Sequence, residues 1–235
     1  MRKFILVILG IVILLIQQPS NVLSKDRFDF EKAGDAIWEG ETDEKIVALT
    51  FDDGPHPDYT PEILDILEQY NMKGTFYVMG AHARKYPGLV FRAFLEGHEI
   101  GNHTFTHNGS ITYLNDELTK TNEIIEKITG KYPATFRPVG GNYNETVISI
   151  AKKKGQKVAM WAWDQDTRDW DDVDSKTIAN QVIGNLSPGD IILFHDAGGD
   201  RTPTIEALPI ILRFFKEEGY EGITVTDMIE RTSER

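Results

Sequence analysis

The chain contains no cysteine. Disulfide staples are excluded, as is a lipid-modified cysteine anchor, and the packed core must supply the stability. Positive charge is also scarce: 25 lysines and arginines stand against 37 aspartates and glutamates, a formal net charge of −12. A surface this acidic argues against nucleic acid as a partner and gives no steering toward anionic lipid, while uncharged glycans remain open. Internal repeats, low-complexity tracts and a second compositional domain are lacking too. What remains, 40% hydrophobic and 26% charged residues, suits one α/β domain.

Long apolar runs are limited to the first residues, "MRKFILVILGIVILLIQQPSNVLSKD". The run from Phe4 to Ile16 is about 13 residues, short of the roughly 20 that span a bilayer comfortably. Arg2 and Lys3 precede it and the small-residue-ended "VLS" follows. This is the pattern of a secretory signal peptide (residues 1–24, cleaved after Ser24), with an uncleaved N-terminal anchor as the alternative. Either reading puts the protein outside the cytoplasm, secreted or attached to the cell surface, with membrane contact only through this segment. Residues 25–44 are charged and aperiodic and read as a linker or irregular lead-in. Residues 45–235 are then the functional domain.

In that domain short apolar runs alternate with amphipathic stretches. "KIVALTF" is β-branched and bounded by Gly-Pro, a buried-strand signal. "YTPEILDILEQYN" carries Ile63, Leu64, Ile66, Leu67 and Tyr70 at helical spacing. Further strands are expected in "GTFYVMG", "HEIGNH", "ATFRPVGG", "QKVAMWAW", "DIILFHD" and "GITVTDMI". Helices are expected in "GLVFRAFLEG", from Asn115 to Gly130, in "NETVISIAKKKG" behind the cap residue Asn144, in "DSKTIANQVIGNL" and in "PTIEALPIILRFFKEEG". Such alternation implies parallel strands with covering helices. About seven units fit a deformed, incomplete (β/α) barrel, since a complete one takes about 250 residues. An open doubly wound sheet is the alternative.

The polar residues of interest fall at the C-terminal ends of the strands, the edge where such folds build sites. Asp52 and Asp53 follow the first strand, His103 and His107 another, and then come Arg137, the acidic group Asp164, Asp166 and Asp169, and His195 with Asp196. Two adjacent carboxylates repel and lose solvation when buried, unless a metal ion offsets one charge. His103 and His107 stand at i and i+4, a zinc-ligand spacing that brings them to one face if the backbone turns helically. Position 104 is Thr, so the glutamate of a His-Glu-x-x-His site is missing and any general base must come from elsewhere. The aspartate pair offers both a ligand and a base, and two histidines with one carboxylate leave an open position for water.

"TFDDGP", "HTFTH", "RPVGG", "WDQDTRDW" and "LFHD", in this order, resemble the five motifs of the polysaccharide deacetylases with a NodB-homology domain, carbohydrate esterase family 4. The resemblance covers roughly residues 43–230. It implies a deformed (β/α) barrel that removes N- or O-linked acetyl groups from sugars with zinc, or with cobalt or another divalent metal. By position, Asp53, His103 and His107 would hold the metal. Asp52 would be the base acting on a water at the metal, and Arg137 would keep Asp52 ionised. His195 would protonate the departing amine, and Asp169, or alternatively Asp166, would orient it. Gly140, Gly141, Trp170 and Leu193 would line the substrate groove, with backbone N–H groups near Gly140 sharing the oxyanion charge. Many family members have Pro and Tyr where this chain has Val139 and Gly140, which leaves the groove more open.

The expected activity is N-deacetylation of a cell-wall or related polysaccharide, peptidoglycan or chitin-like, by a monomer. The alternatives are an O-acetyl esterase with the same site and a silent glycan-binding protein. His56 is read as rim, and His82 and His98 as structural. Asn102 is expected to support its loop, Asp196 to bond locally, Trp161 to pack, and Trp163 to be free to stack on sugar.

Overall fold

The structure is a computed structural model, and it describes residues 25–233. The apolar run at 4–16 and the cleavage position after Ser24 lie outside the described residues. Among the described residues no helix is long and apolar enough to cross a membrane.

The strand β2 (Ile46–Asp52) is buried along its whole length. That is what a parallel strand needs when helices cover one face and a filled barrel the other. Val47, Leu49 and Phe51 pack outward against Ile63, Leu64 and Leu67 of α2 (Tyr59–Tyr70) and against Leu208, Ile211 and Phe215 of α8 (Thr202–Glu218). Ile46 and Ala48 point inward and meet Tyr77, Ile191, Ile223 and Met228. Further along the same inward face come Thr50 and Asp52, both buried, so the barrel interior turns polar toward its C-terminal end.

In chain order the elements are α1 (Arg27–Lys32), β1 (Ala36–Ile37), β2, α2, β3 (Gly74–Val78), α3 (Gly80–Lys85), α4 (Pro87–Leu95), β4 (Glu99–Asn102), α5 (Ile111–Thr129) and β5 (Thr135–Phe136). A 3-10 turn at Val139–Gly141 leads to α6 (Glu145–Lys153), β6 (Lys157–Ala159), α7 (Ser175–Asn185), β7 (Ile191–His195), α8, β8 (Glu221–Gly222) and α9 (Val225–Ser233). The sheet order is β1-β6-β5-β4-β3-β2-β7, with β8 paired to the start of β2, and every strand pair is parallel. An eighth full strand between β6 and β7 is replaced by irregular chain. There Ala162 N–H donates to the Ile191 carbonyl (2.9 Å) and Leu193 N–H to that of Gln165 (3.0 Å). This is the deformed α/β barrel.

Local signals set the helix ends. The Asn144 side chain accepts from the N–H groups of Thr146 and Val147, and Gly130 and Gly219 close α5 and α8 with left-handed backbone. Three stretches differ from the sequence reading. Residues 25–44 are built into the fold: Asp26 and Asp29 form a capping box on α1, β1 pairs with β6, and Phe30, Ala36, Ile37 and Trp38 are buried. A six-residue helix and a two-residue strand are too short for periodicity to reveal. Of "GITVTDMI" only Gly222 lies in a strand, the end of β8, and a helix follows from Val225. Thr224 Oγ1 accepts from Asp227 N–H (3.1 Å) and Asp227 Oδ2 from Thr224 N–H (3.4 Å), a reciprocal cap that overrides the β-branched run. "QKVAMWAW" is ordered as a strand only over Lys157–Ala159.

Candidate active site

Asp52 ends β2 on the inward face and is 3% exposed. Its Oδ1 accepts from Nη1 of Arg137 (3.0 Å), which stands just past β5 and is fully buried. The same Nη1 donates to Thr50 Oγ1 (2.6 Å), Nε to the Ala159 carbonyl (3.1 Å) and Nη2 to the Met160 carbonyl (2.7 Å). The rings of Tyr77 and Trp161 lie 4.3 and 5.7 Å from the guanidinium carbon. A buried ion pair held this completely fixes one orientation of the carboxylate, and loss of either partner would strand a charge in the barrel.

Asp53 faces a different group. Its backbone is left-handed (φ 76°), and its carbonyl is held by His82 Nδ1 at 2.8 Å. Its Oδ1 lies 3.4 Å from His103 Nε2 and 3.2 Å from His107 Nε2. One ligand atom from each of the three residues falls within 4.8 Å of the others. His103 Nδ1 lies 2.8 Å from the Arg137 carbonyl, which can only accept, so Nδ1 carries the proton and Nε2 presents a lone pair. The two histidines converge through a loop and not a helical turn. Thr104 and His107 have φ of 67° and 61°, a departure from the i, i+4 reading. That loop is braced by α5: Glu117 accepts from the N–H groups of Phe105 (2.9 Å) and Thr106 (2.7 Å), and Asn102 Oδ1 accepts from Thr104 N–H (2.8 Å).

The donor set fits a divalent cation. Asp53 Oδ1 is buried and has no hydrogen-bond partner, while two imidazole nitrogens point at the same spot. Burial alone would raise the Asp53 pKa, but the contact and charge of His103, with the charges of His195 and His107, hold it down at about 2. Burial pulls His103 down, yet the charges of Asp52 and Asp53 outweigh it and the net shift is upward. His107, with its side chain 42% exposed, is lowered, chiefly by desolvation.

His195 ends β7 in register with Asp52, so both project from the same face. Asp169 Oδ1 meets His195 Nδ1 at 2.7 Å, and Oδ2 accepts from His195 N–H (2.8 Å) and Thr204 Oγ1 (2.7 Å). Arg201, 3% exposed, donates to the Asp169 carbonyl. Asp166 instead accepts from Arg168 N–H within its own turn. Burial lowers His195, but the hydrogen bond and charge of Asp169, reinforced by Asp52 and Asp53, leave its pKa raised.

Gly140 and Gly141 form the 3-10 turn after Arg137 with φ of 60° and 66°, and a Cβ on Gly141 would sit 2.7 Å from the Trp161 ring. Trp170 is 51% exposed, with the Arg168 guanidinium 5.4 Å from its ring centre. Leu193 is 4% exposed, two residues before His195 on the inward face, so it offers a floor rather than a wall. Trp163 is 89% exposed. Asp196 is buried and accepts from Thr60 Oγ1 (2.5 Å), and desolvation pushes its pKa up to about 7. His98 accepts from Gly74 N–H (3.1 Å), and His56 stacks on Tyr59 at 4.5 Å. Nothing in the sequence marks Thr50, Glu117 or Thr204, while His82, expected to be structural, holds the Asp53 backbone carbonyl (2.8 Å). The Glu117 and Thr204 contacts join separate elements and leave no local spacing to read.

The family model described as polysaccharide deacetylase matches residues 39–159. A peptidoglycan-N-acetylglucosamine deacetylase of Bacillus cereus is 42% identical over 207 residues, which covers 86% of this chain and 97% of the relative. A solved peptidoglycan N-acetylglucosamine deacetylase, in complex with 4-naphthalen-1-yl-N-oxidanyl-benzamide, superposes with a TM-score of 0.82 at 35% identity, over 87% of this chain and 97% of that one. A family 4 acetyl xylan esterase from Clostridium thermocellum, in complex with a cobalt ion, gives 0.72 at 34% identity, over 79% and 91%.

Proposed function

This chain belongs to the polysaccharide deacetylase family, and from that premise we propose that it hydrolyses N-acetyl groups on the amino sugars of a cell-wall polysaccharide, peptidoglycan first. The observation that carries the reading is the gathering of three functions on one rim. Asp52 with Arg137, the group Asp53–His103–His107, and His195 with Asp169 all stand at the C-terminal end of the barrel. The substrate preference rests on the Bacillus cereus relative, and action outside the cytoplasm on the same ground.

Asp53, His103 and His107 would hold a divalent ion, zinc in our reading and cobalt or another divalent metal as the alternative, which would supply Lewis-acid polarisation of the acetyl carbonyl. Asp52 takes the proton of the attacking water as the new C–O bond forms, and Arg137 holds its carboxylate in one orientation. His195, with Nδ1 engaged by Asp169, uses Nε2 to donate a proton to the sugar nitrogen as the C–N bond breaks. Acetate and a free amine result. An acid is required because an amine anion is a poor leaving group; burial works against the protonated form of His195, but the hydrogen bond and charge of Asp169 outweigh it and raise its pKa. In the turn beside Arg137 the Gly141 N–H already donates to the Pro138 carbonyl (3.0 Å), which leaves the Gly140 N–H as the group that would share charge on the acetyl oxygen.

The test is acetate release from N-acetylglucosamine oligomers and from peptidoglycan, before and after chelation and after adding back zinc or cobalt. Release that chelation stops and metal restores supports the reading. Release confined to O-acetylated xylan would favour the esterase alternative, to which the acetyl xylan esterase neighbour points. No release from any acetylated glycan would overturn both.

A further inference from the structure

The helix α5 starts just beyond the His103–His107 loop and runs beside α3 and α4, and the seam between them is hollow. Two adjoining cavities of about 430 and 570 Å3 share Arg84 and Ile124 as walls and so form one trough. Its upper part is paved by the Phe105 ring, with the Arg84 guanidinium 5.0 Å and the Lys120 ammonium 5.9 Å from the ring centre. Its lower part is lined by Ile124, Ile128 and Phe91, the last 43% exposed, with Lys127 at the margin.

The charge of the trough runs against that of the molecule. The chain carries a net −12, yet three cations border this seam, and Glu123 is the one carboxylate among the residues lining it. Among the described residues, no carboxylate forms an ion pair with Arg84, Lys120 or Lys127. Arg84 and Lys120 both lie over the Phe105 ring. An acidic protein that keeps three unpaired cations around an exposed apolar floor has a surface complementary to something both anionic and aliphatic. A chitin-like strand is neither, and a peptidoglycan strand freed of its peptide keeps only short lactyl carboxylates. Phe105 sits between the two histidines in sequence, on the loop whose Phe105 N–H is held by Glu117 of α5 (2.9 Å).

We propose that this trough is an accessory subsite for the carboxylate-bearing, aliphatic peptide that branches from a peptidoglycan strand. The inference rests on the deacetylase reading for the identity of the strand, and it deepens that reading by distinguishing peptidoglycan from chitin-like polymers. Arg84, Lys120 and Lys127 receive the peptide carboxylates, while Phe91, Ile124 and Ile128 receive its alkyl side chains. The strand then lies across the rim with its peptide draped over the edge between α4 and α5.

Two measurements on the full chain test this. The first is titration of a soluble carboxylate-bearing stem peptide onto wild type and onto the Arg84→Glu/Lys127→Glu variant, both checked for fold by circular dichroism. The expected result is binding that weakens roughly tenfold in the variant and also weakens as added salt shortens the Debye length from about 10 to 3 Å. The second is the ratio of KM for glycan strands freed of peptide to KM for the same strands bearing it. Wild type should favour peptide-bearing strands, and the variant should bring that ratio close to one with kcat little changed. Arg84→Gln/Lys127→Gln should fall between the two. Equal peptide affinity in wild type and variant would overturn the proposal. So would binding of anionic vesicles in place of the peptide, or a dimer that the same variant dissolves. If wild type releases no acetate from either kind of strand, the deacetylase reading fails separately, and the peptide titration alone decides the trough.

Discussion

The two sides of the rim use the same pair of residue types, an aspartate against histidine, and satisfy them in opposite ways. On the acid side both oxygens of Asp169 are engaged, by His195 Nδ1, His195 N–H and Thr204 Oγ1. On the metal side a single oxygen of Asp53 faces two imidazole nitrogens at 3.4 and 3.2 Å, with no hydrogen bond made. The first arrangement is complete as a hydrogen-bonded dyad. The second leaves a buried carboxylate oxygen and two imidazole nitrogens facing one another, a donor set that suits a cation. Residue type therefore does not distinguish a ligand from a proton-transfer group; the state of satisfaction of the carboxylate does.

Breaking the metal side should have the largest effect. Asp53→Ala is expected to lose the bound ion and lower kcat/KM by roughly 10³-fold or more, since the ion supplies several kcal/mol of transition-state stabilisation. Metal content and acetate release are the two readouts, and an active, metal-loaded variant would merge the two sides into one. Proton competition sharpens the point. His103 has a raised pKa while Asp53 stays ionised down to about 2, so metal affinity should fall on acidification through histidine, not carboxylate, titration.

Breaking the acid side should cost less and leave the ion in place. Asp169→Asn is expected to lower kcat by roughly 10²-fold, within the usual range for general acid catalysis. It should also move the alkaline limb of the pH profile. Asp169 raises the His195 pKa, so activity that needs protonated His195 is lost as pH rises through that value. Without the carboxylate the loss should begin at lower pH. A limb that stays put would detach Asp169 from His195. The smallest effect belongs to Thr204→Val, which removes one of three bonds to Asp169. A net hydrogen bond is worth about 1 kcal/mol, so kcat should fall roughly fivefold with metal content unchanged.

Much of the architecture could be read from the chain because its signals are local. "KIVALTF" is apolar and β-branched, and it forms a strand buried throughout. Asn144, Gly130 and Gly219 mark helix ends by their own side-chain or backbone chemistry. The gathering of polar residues at strand ends was legible for the same reason, since parallel topology brings those ends to one rim. What stayed hidden depends on contacts distant in sequence. His82 holds Asp53 across 29 positions, and Thr204 reaches Asp169 across 35. Neither pairing has a period. The His103–His107 spacing was read as a helical turn, whereas left-handed residues and the Glu117 brace shape that loop. α1, β1, α3 and α9 escape the pattern because two six-residue helices, a two-residue strand and a capped β-branched run give weak or misleading signals.

The central claim is the division of labour between two neighbours, Asp53 on the metal and Asp52 on the proton. Asp52→Asn keeps the shape and removes the base, so metal content and kcat measured on that one variant test the claim most directly. The account predicts one bound ion per chain, as in wild type, with kcat lowered by about 10²–10⁴-fold. Turnover unchanged, or the ion lost together with the activity, would contradict it.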